Sequence, residues 1–207
     1  MKTWTKLIAL LLTGSHVLAE PGKDYPNVDD TSYTEPNGDR VIRLSVEVAA
    51  SADDVWRALT TTEGWKSFAV AFASVDMRVG GIIETSYNPG ARLGDPDNIR
   101  NEIVAYIPGR MMAIRGVQAP RNFEHKQEFF ATSTVTECVP LEHKRTRVVV
   151  TAVGYRPGAA YDVLFKKFRW GDAYTLDKLR SRFETGRSTA PAEPGETKSF
   201  NQNGGNK

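Results

Sequence analysis

Three carboxylates are the groups in this 207-residue chain whose chemistry would suit an acid and a base. Glu84 and Glu102 lie in segments of strand-like composition, and Asp172 lies in a long helical segment near the C-terminus. Carboxyl groups that converge in one cavity can exchange protons with a bound substrate. No fixed spacing along the chain links these three, so the alternative is that they face water.

Histidine and cysteine add little to this set. His143 lies in the turn-like "PLEHK", and His125 lies in the polar "NFEHKQE", where it and Glu124 could border a cavity. The one cysteine, Cys138, lies in the strand-like run "TSTVTECV", which favours a buried, inert thiol. The sequence has no phosphate-binding loop, G-x-S-x-G, H-E-x-x-H or paired C-x-x-C. We therefore expect no cofactor, no metal and no covalent catalytic residue.

The elements that would position these side chains are mostly strands. "RVIRLSVEV" alternates apolar and polar residues from Arg40 onward, which is typical of a half-buried strand. The short "IPGR" and "PLEHK" segments predict hairpins and therefore antiparallel neighbours. Five further runs have strand length and are bounded by turn signals: "GIIETSY", "IRNEIVAY", "RMMAIRG", "EFFATSTVTECV" and "RTRVVVTAVGY".

Helices are predicted at both ends of this series. In "SADDVWRALTT", Ser51 and Asp54 resemble a capping box, and Trp56 is expected to pack as core beneath a short lid that continues into "TEGWKSF". A long final helix ends near Thr185 and carries one apolar stripe: Tyr161, Leu164, Phe165, Phe168, Leu176, Leu179 and Phe183. This order predicts an α+β fold in which the final helix covers the apolar face of a curved antiparallel sheet.

The two ends of the chain are predicted to lie outside this domain. Residues 1–19 have two lysines, an apolar run and small residues before Ala19, which predicts a signal peptide, cleavage there and a periplasmic or secreted protein. The apolar run is too short for a stable membrane span, although an uncleaved anchor is the alternative. Residues 20–39 are predicted as an extended lead-in, 40–185 as the domain and 186–207 as a disordered tail.

Several motifs in this order resemble the START-like (SRPBCC) superfamily with its helix-grip fold. They are "SADDVWRALTTTEGWKSF", "VDMRVGGIIET", "IVAYIPGRMMAI", "TRVVVTAVGY" and "WGDAYTLDKLRSRFETG", and they are most similar to the subgroup named for an activator of a heat-shock ATPase. The resemblance implies a curved sheet wrapped around the C-terminal helix. The superfamily includes lipid and hormone binders, polyketide cyclases and co-chaperones, so the resemblance is specific for the fold and weak for activity.

Asp172 departs from this family pattern, in which a bulky aromatic residue often stands at its position. In an unbroken helix its carboxylate would lie within the apolar stripe, which is costly unless the charge is paired or solvated. One interpretation is that Gly171 bends the helix and Asp172 caps the second half, with Trp170 and Tyr174 turned inward. The alternatives are a polar group in a ligand cavity and an exposed side chain.

The leading hypothesis is an exported protein that binds a hydrophobic small molecule, such as a lipid, aromatic or polyketide-like compound, between the sheet and the final helix. We expect no nucleic-acid partner at a net charge of +2, and no stable membrane insertion. The alternatives are a completely filled core, a cyclase or hydratase that uses polar groups in the cavity, and a protein-interaction module like the ATPase activators. The candidate ligand-binding residues are Trp65, Phe68, Phe72, Tyr87, Tyr106, Met112, Phe130, Phe165 and Asp172.

Overall fold

The computed structural model of the protein describes residues 25–186, so the predicted signal peptide and nearly all of the predicted tail lie outside the described residues. Four helices occur in the described part: α1 (Ala52–Thr60), α2 (Thr62–Lys66), α3 (Lys126–Phe130) and α4 (Ala159–Thr185). The strands are β1 (Asp29–Asp30), β2 (Tyr33–Thr34), β3 (Arg40–Val48), β4 (Phe72–Val75), β5 (Ile82–Ser86), β6 (Ile99–Ile107), β7 (Met111–Gln118), β8 (Ser133–Leu141) and β9 (Arg145–Tyr155).

All the strands join one antiparallel sheet. Its order is β1-β3-β9-β8-β7-β6-β5-β4, and β2 pairs with β3 beside β1. The hairpins predicted at "IPGR" and "PLEHK" are confirmed, because β6 pairs with β7 and β8 pairs with β9. The helix α4 lies across the apolar face, so the α+β helix-grip architecture predicted from the sequence is confirmed.

The strand β3 shows why the sheet has one apolar face. Its alternate residues are buried in the core, while the residues between them are directed to the opposite face. Branched aliphatic side chains of β9 lie beside those of β3, and α4 adds three leucines from above. The fully or almost fully buried residues of this region are Ile42, Leu44, Val46, Val48, Val148, Val150, Ala152, Leu164, Leu176 and Leu179.

The predicted helix pair closes the sheet after β3. The Ser51 hydroxyl accepts a hydrogen bond from the Asp54 amide and donates one to the Asp54 carboxylate, which fixes the start of α1. Trp56 is half-buried and packs against the core, close to its predicted role. Trp65 in α2 donates from Nε1 to the Leu59 carbonyl at 2.8 Å, so the two helices are held together by a side chain.

Three elements differ from the sequence-based expectation. The run "EFFATSTVTECV" is not one strand, because its first residues form the end of α3 and β8 begins only at Ser133. The lead-in is not merely extended, since β1 and β2 add two short strands to the edge of β3. No bend interrupts α4 at Gly171, and the helix runs continuously through 27 residues.

Two smaller findings complete the description. Cys138 is buried in the core as predicted, and burial raises the pKa of its thiol to about 11. Among residues 25–186, no helix is both long enough and apolar enough to cross a membrane.

Candidate functional site

The interior of the domain is packed unequally on the two sides of α4. Within the described residues, the backbone of α4 makes its closest approaches to β3, β9 and α3. On the other side, β5, β6 and β7 direct larger side chains towards the same interior. Tyr87, Tyr106 and Ile114 contact the core there but are only half-buried, in contrast to the sealed side chains of β3. Ile83, Ile103 and Met112 are fully buried on this side as well, so its more open part is the margin formed by the half-buried residues.

Asp172 is the acidic residue of α4 that faces this interior. Phe165, Phe168, Leu176 and Leu179 stand at helical spacings of four and seven residues from it, and all four belong to the core or pack on it. Its Oδ2 atom is buried and has no hydrogen-bond partner among residues 25–186. Both the cap and the exposed side chain expected as alternatives are wrong, and the carboxyl is a polar group in an apolar interior.

Burial raises the pKa of Asp172 to about 7 from its ordinary value of 3.8. The cause is the loss of water around the charged form, which no described cationic side chain replaces. At 1.36 kcal/mol per pKa unit, this shift corresponds to about 4 kcal/mol of disfavoured ionisation. The site therefore holds a carboxyl group that is partly protonated near neutral pH.

Tyrosines lie close enough to this carboxyl for its charge to affect them. The charge of Asp172 contributes, after burial, to the raised pKa of Tyr155, whose hydroxyl is hydrogen-bonded to Thr132. Burial raises the pKa of Tyr87 to about 12, with further contributions from Tyr174 and Asp172. The three phenols remain neutral at physiological pH, so they can donate hydrogen bonds into the site without adding charge.

The N-terminal lead-in covers one end of this group. Tyr25 is buried against two aromatic side chains of α4, with ring centroids 6.0 Å from Trp170 and 6.3 Å from Tyr174. Asp30 accepts a hydrogen bond from Arg169 at 2.5 Å, which ties the same segment to α4. Trp170 and Tyr174 pack on Tyr25 and not on the core, so the inward turn expected for them is wrong.

The predicted apolar residues fall into two groups. Tyr106 and Met112 are directly paired on the inner face of the sheet, and Phe165 contacts Tyr155 edge to face at 5.6 Å. Tyr87 and Tyr106 are half-buried and border the more open margin, whereas Met112 is fully buried. Phe130 ends α3 and packs on Phe129, whose ring stacks on Phe168 one turn before Asp172.

Trp65 and Phe68 lie farther from the carboxyl. Their rings stack at 5.5 Å, and Phe68 is fully buried in the core. Arg182 donates to the neighbouring Ser67, which places this pair near the C-terminal end of α4. Ten residues of helix separate Asp172 from Arg182, a distance of about 15 Å. These two aromatics therefore close the far end of the interior.

Phe72 was predicted to face the cavity, and this is wrong. Its neighbour Ala73 belongs to the core, so Phe72 is directed to the opposite face of β4, because successive strand residues alternate. The sequence alone does not show which face of the strand Phe72 lies on, since "AVAFASV" has apolar residues at both odd and even positions. The ligand-facing role predicted for Phe72 is not compatible with this register.

The three carboxylates do not converge. Glu84 is opposite Ser74 on the outer face, where it is buried beneath the loop that follows β5. It accepts hydrogen bonds from the Gly94 amide at 2.6 Å and from the Asn98 side chain at 2.7 Å. This carboxylate anchors a loop and lies on the other side of the sheet from Asp172.

Glu102 is also directed away from the interior. It pairs with Arg115 at 2.8 Å on the outer face, next to the inward-facing Ile103. His125 and His143 occupy turn positions with positive φ, and neither enters the group around Asp172. No cluster of metal-ligating side chains occurs within residues 25–186. The polar chemistry of the interior is therefore that of one carboxyl and the tyrosines near it.

Sequence reasoning missed Tyr155 and Tyr25 as parts of this site. Tyr155 ends β9 at the opposite parity to Val148, Val150 and Ala152, and it is buried because the pairing of β9 with β3 shifts by one residue between Ala152 and Tyr155. Tyr25 lies in a polar segment that offered no periodic signal.

The comparisons with known proteins agree with this fold. A sequence profile described as "Polyketide cyclase / dehydrase and lipid transport" matches residues 39–184. No curated protein matches the sequence. Among solved structures, the Aha1 dimer from Colwellia psychrerythraea superimposes with a TM-score of 0.55 and 19% identity, over 70% of this chain and 97% of that chain.

Two further structures are similar. MLL2253 from Mesorhizobium loti has a TM-score of 0.56 and 16% identity over 70% of this chain and 98% of its own. CalU16 from Micromonospora echinospora has a TM-score of 0.50 and 18% identity over 80% and 86%. At these identities the structures establish the fold alone. The profile match covers most of the chain, and the protein therefore belongs to the polyketide cyclase, dehydrase and lipid transport family of the START-like superfamily.

Proposed function

We propose that this protein binds an apolar small molecule between α4 and the strands β5–β7, with Asp172 as the polar anchor. The observation that carries the proposal is the buried Oδ2 atom of Asp172, which has no hydrogen-bond partner among residues 25–186. A buried polar atom without a partner costs about 1–3 kcal/mol, and more when it is charged. A bound molecule that supplies the missing partner would recover that cost.

The walls of this region support an apolar ligand. Tyr87, Tyr106, Ile114 and Phe165 are apolar or aromatic, are only half-buried, and border the same interior. Binding sites for small molecules typically combine such walls with a few polar groups that fix orientation. The family description names lipid transport and polyketide chemistry, and both involve molecules with large apolar surfaces.

A filled-site variant tests this location. Ile114 faces the interior, whereas Val117 on the same strand is 40% exposed on the outer face. We expect Ile114→Trp to weaken the binding of N-phenyl-1-naphthylamine, a neutral apolar fluorescent probe, by about 10-fold or more, because an indole would occupy the space for the ligand. The matched control Val117→Trp should leave the affinity unchanged.

Both outcomes are informative. Equal affinities for the two variants, with both folded by circular dichroism, would place any binding elsewhere and overturn the proposal. No probe binding to the unmodified protein would also overturn it. If the probe binds as expected, native mass spectrometry of the protein from its own source, followed by organic extraction, would identify the natural ligand as an added mass that extraction removes.

The proposal includes export. Lys2, Lys6, the apolar run and Ala19 support a cleaved signal peptide, although these residues lie outside the described part of the chain. The intact mass of the protein recovered from its native host should correspond to a chain that begins at Glu20. Recovery of the full-length chain in the cytoplasm would contradict export and would restore the co-chaperone-like alternative.

A second candidate function is an enzyme of the cyclase or hydratase type. One observation favours it: a carboxyl whose pKa is about 7 lies near the phenols of Tyr87 and Tyr155, and such a carboxyl can both take and give a proton near neutral pH. Glu102 is excluded from this role because it faces outward. If the extracted compound is turned over, Asp172→Asn should abolish turnover in a folded protein, and unchanged turnover would eliminate this candidate.

A further inference from the structure

We infer that the ligand of this site carries a basic nitrogen, so that an apolar amine binds with its ammonium group against the Asp172 carboxylate. This inference rests on the proposed function and specifies its ligand class. The supporting observation is an acidic group in the interior, one of whose oxygen atoms is buried without a hydrogen-bond partner among residues 25–186. Asp172 is acidic, buried and unpartnered at Oδ2, and a neutral hydrogen-bonding residue would have served a neutral ligand at a lower cost of burial.

The groups that face Asp172 do not neutralise it. Tyr87 reaches it from the residue after β5 and Tyr155 from the end of β9, and both are uncharged near neutral pH. Each of these phenols has a raised pKa, so none becomes a competing anion. The charge that would complement an ionised Asp172 is therefore left for the ligand to provide.

Five of the six cations of α4 have partners elsewhere. Arg169 pairs with Asp30, Arg180 pairs with Glu184, and Arg182 donates to Ser67. Lys167 lies over the ring of Phe123 at 4.2 Å, and Lys178 lies over Tyr174 at 5.5 Å. None of these cations contributes to the pKa of Asp172, whose shift is caused by burial.

Arg40 is the cation of β3 that comes nearest to the aromatic wall. Its guanidinium pairs with Asp162 at 2.7 Å and lies 4.8 Å from the centre of the Phe165 ring. This contact shows that the outer end of the aromatic wall packs against a cation. Aromatic rings attract cations through their negative faces, most strongly where water is excluded. Tyr87, Tyr155 and Phe165 offer such rings near the carboxylate.

The inference predicts a ranking of ligands with the same apolar body. An amine would supply a positive charge and hydrogen-bond donors to Asp172. An alcohol would supply a donor but leave the negative charge uncompensated. A carboxylic acid would place a second negative charge beside the first, which disfavours ionisation of both. At pH 8, we therefore expect amine to bind best, alcohol next and acid worst.

The test uses the full chain and two ligand series. One is decylamine, decan-1-ol and decanoic acid, each below its micellar concentration, and the other is 2-naphthylmethylamine with 2-naphthylmethanol. Affinities are measured at pH 8 by displacement of N-phenyl-1-naphthylamine. Each amine should bind about 10-fold or more tightly than its alcohol, since hydrogen bonds to charged groups are the stronger class. Asp172→Asn should remove this preference, whereas Asp162→Asn, which changes an exposed carboxylate of the same helix, should leave it in place.

The pH profile gives a second measurement. Below the Asp172 pKa of about 7, the carboxyl must release its proton before it pairs with an ammonium. Amine affinity should therefore fall by about 10-fold for each pH unit below 7, while alcohol affinity stays nearly constant. A preference for alcohols, or an amine preference that survives in Asp172→Asn, would overturn the inference alone. If neither the probe nor any ligand binds, the proposed function fails with it.

Discussion

The helix α4 covers two halves of the sheet that are built differently. Over β3 and β9 the interior consists of branched aliphatic side chains with almost no exposed surface, such as Leu44, Val148 and Leu179. Over β5–β7 the sheet also buries Ile83, Ile103 and Met112, but half-buried side chains such as Tyr106 and one carboxyl with an unpartnered oxygen lie beside them. The difference indicates that the first half contributes more to the stability of the fold, and the proposed binding site lies in the second half.

The largest expected effect tests this division by truncation. Leu44→Ala removes a fully buried side chain from the packed half and should lower the free energy of unfolding by about 3–5 kcal/mol. Ile114→Ala removes a half-buried side chain from the open half and should cost only about 1–2 kcal/mol. Urea denaturation of both variants provides the comparison. Equal losses would show that the two halves are packed alike.

Asp172→Asn sharpens the comparison through pH. The folded-state pKa of Asp172 is about 7 and its ordinary value is 3.8, so the folded state binds more protons than the unfolded state between about pH 4 and pH 7. The stability of the unmodified protein should therefore fall as pH rises through this window and level off above it. The asparagine variant lacks this loss, so it should be about as stable at pH 4 and up to about 4 kcal/mol more stable at pH 8.

Denaturant titrations at several pH values measure this difference directly. Asp162→Asn is the matched control, because its carboxylate is exposed on the same helix and should show no such pH-dependent gain. If the curves of Asp172→Asn and the unmodified protein stay parallel from pH 4 to pH 8, the carboxyl is not desolvated and its role as a buried anchor is lost.

The smallest expected effect tests whether the β5–β7 half of the interior can accommodate an added methyl group. A Cβ atom at Gly116 would lie 2.4 Å from the ring of Phe129, which is buried and stacked on Phe168. Gly116→Ala therefore requires α3 or the ring to move and should cost about 1–3 kcal/mol. Thermal denaturation checks this, with Val117→Ala on the outer face as the control. A neutral result would mean that this half repacks readily around an added group.

The sequence predicted the elements better than the directions of their side chains. The alternation in β3 and the capping pair at Ser51 each depend on local residues, so both were readable. The directions of Phe72 and Phe130 were not readable, because a run with apolar residues at both odd and even positions does not show which side chains face the core. Phe130 also lies in α3, whose five residues were absorbed into a strand prediction.

The candidate site was predictable only in part. Asp172 stood out because a carboxylate interrupts an apolar stripe, and its Oδ2 atom is indeed buried without a hydrogen-bond partner among residues 25–186. Its role was obscured by Gly171, which suggested a bend that neighbouring packing does not require. Tyr155 and Glu84 depended on strand register and on a covering loop, and both are set by contacts between residues distant in sequence.

The short strands β1 and β2 have a consequence for the solubility of the protein. Unpaired backbone groups along the edge of a sheet can bind a strand from another molecule and start aggregation. Here the lead-in occupies much of the free side of β3, and the opposite edge is β4, which has only four residues and donates its Val75 amide to Thr62 of α2. A chain shortened to Arg40 would present a nine-residue strand for such pairing, so the lead-in protects the protein against self-association.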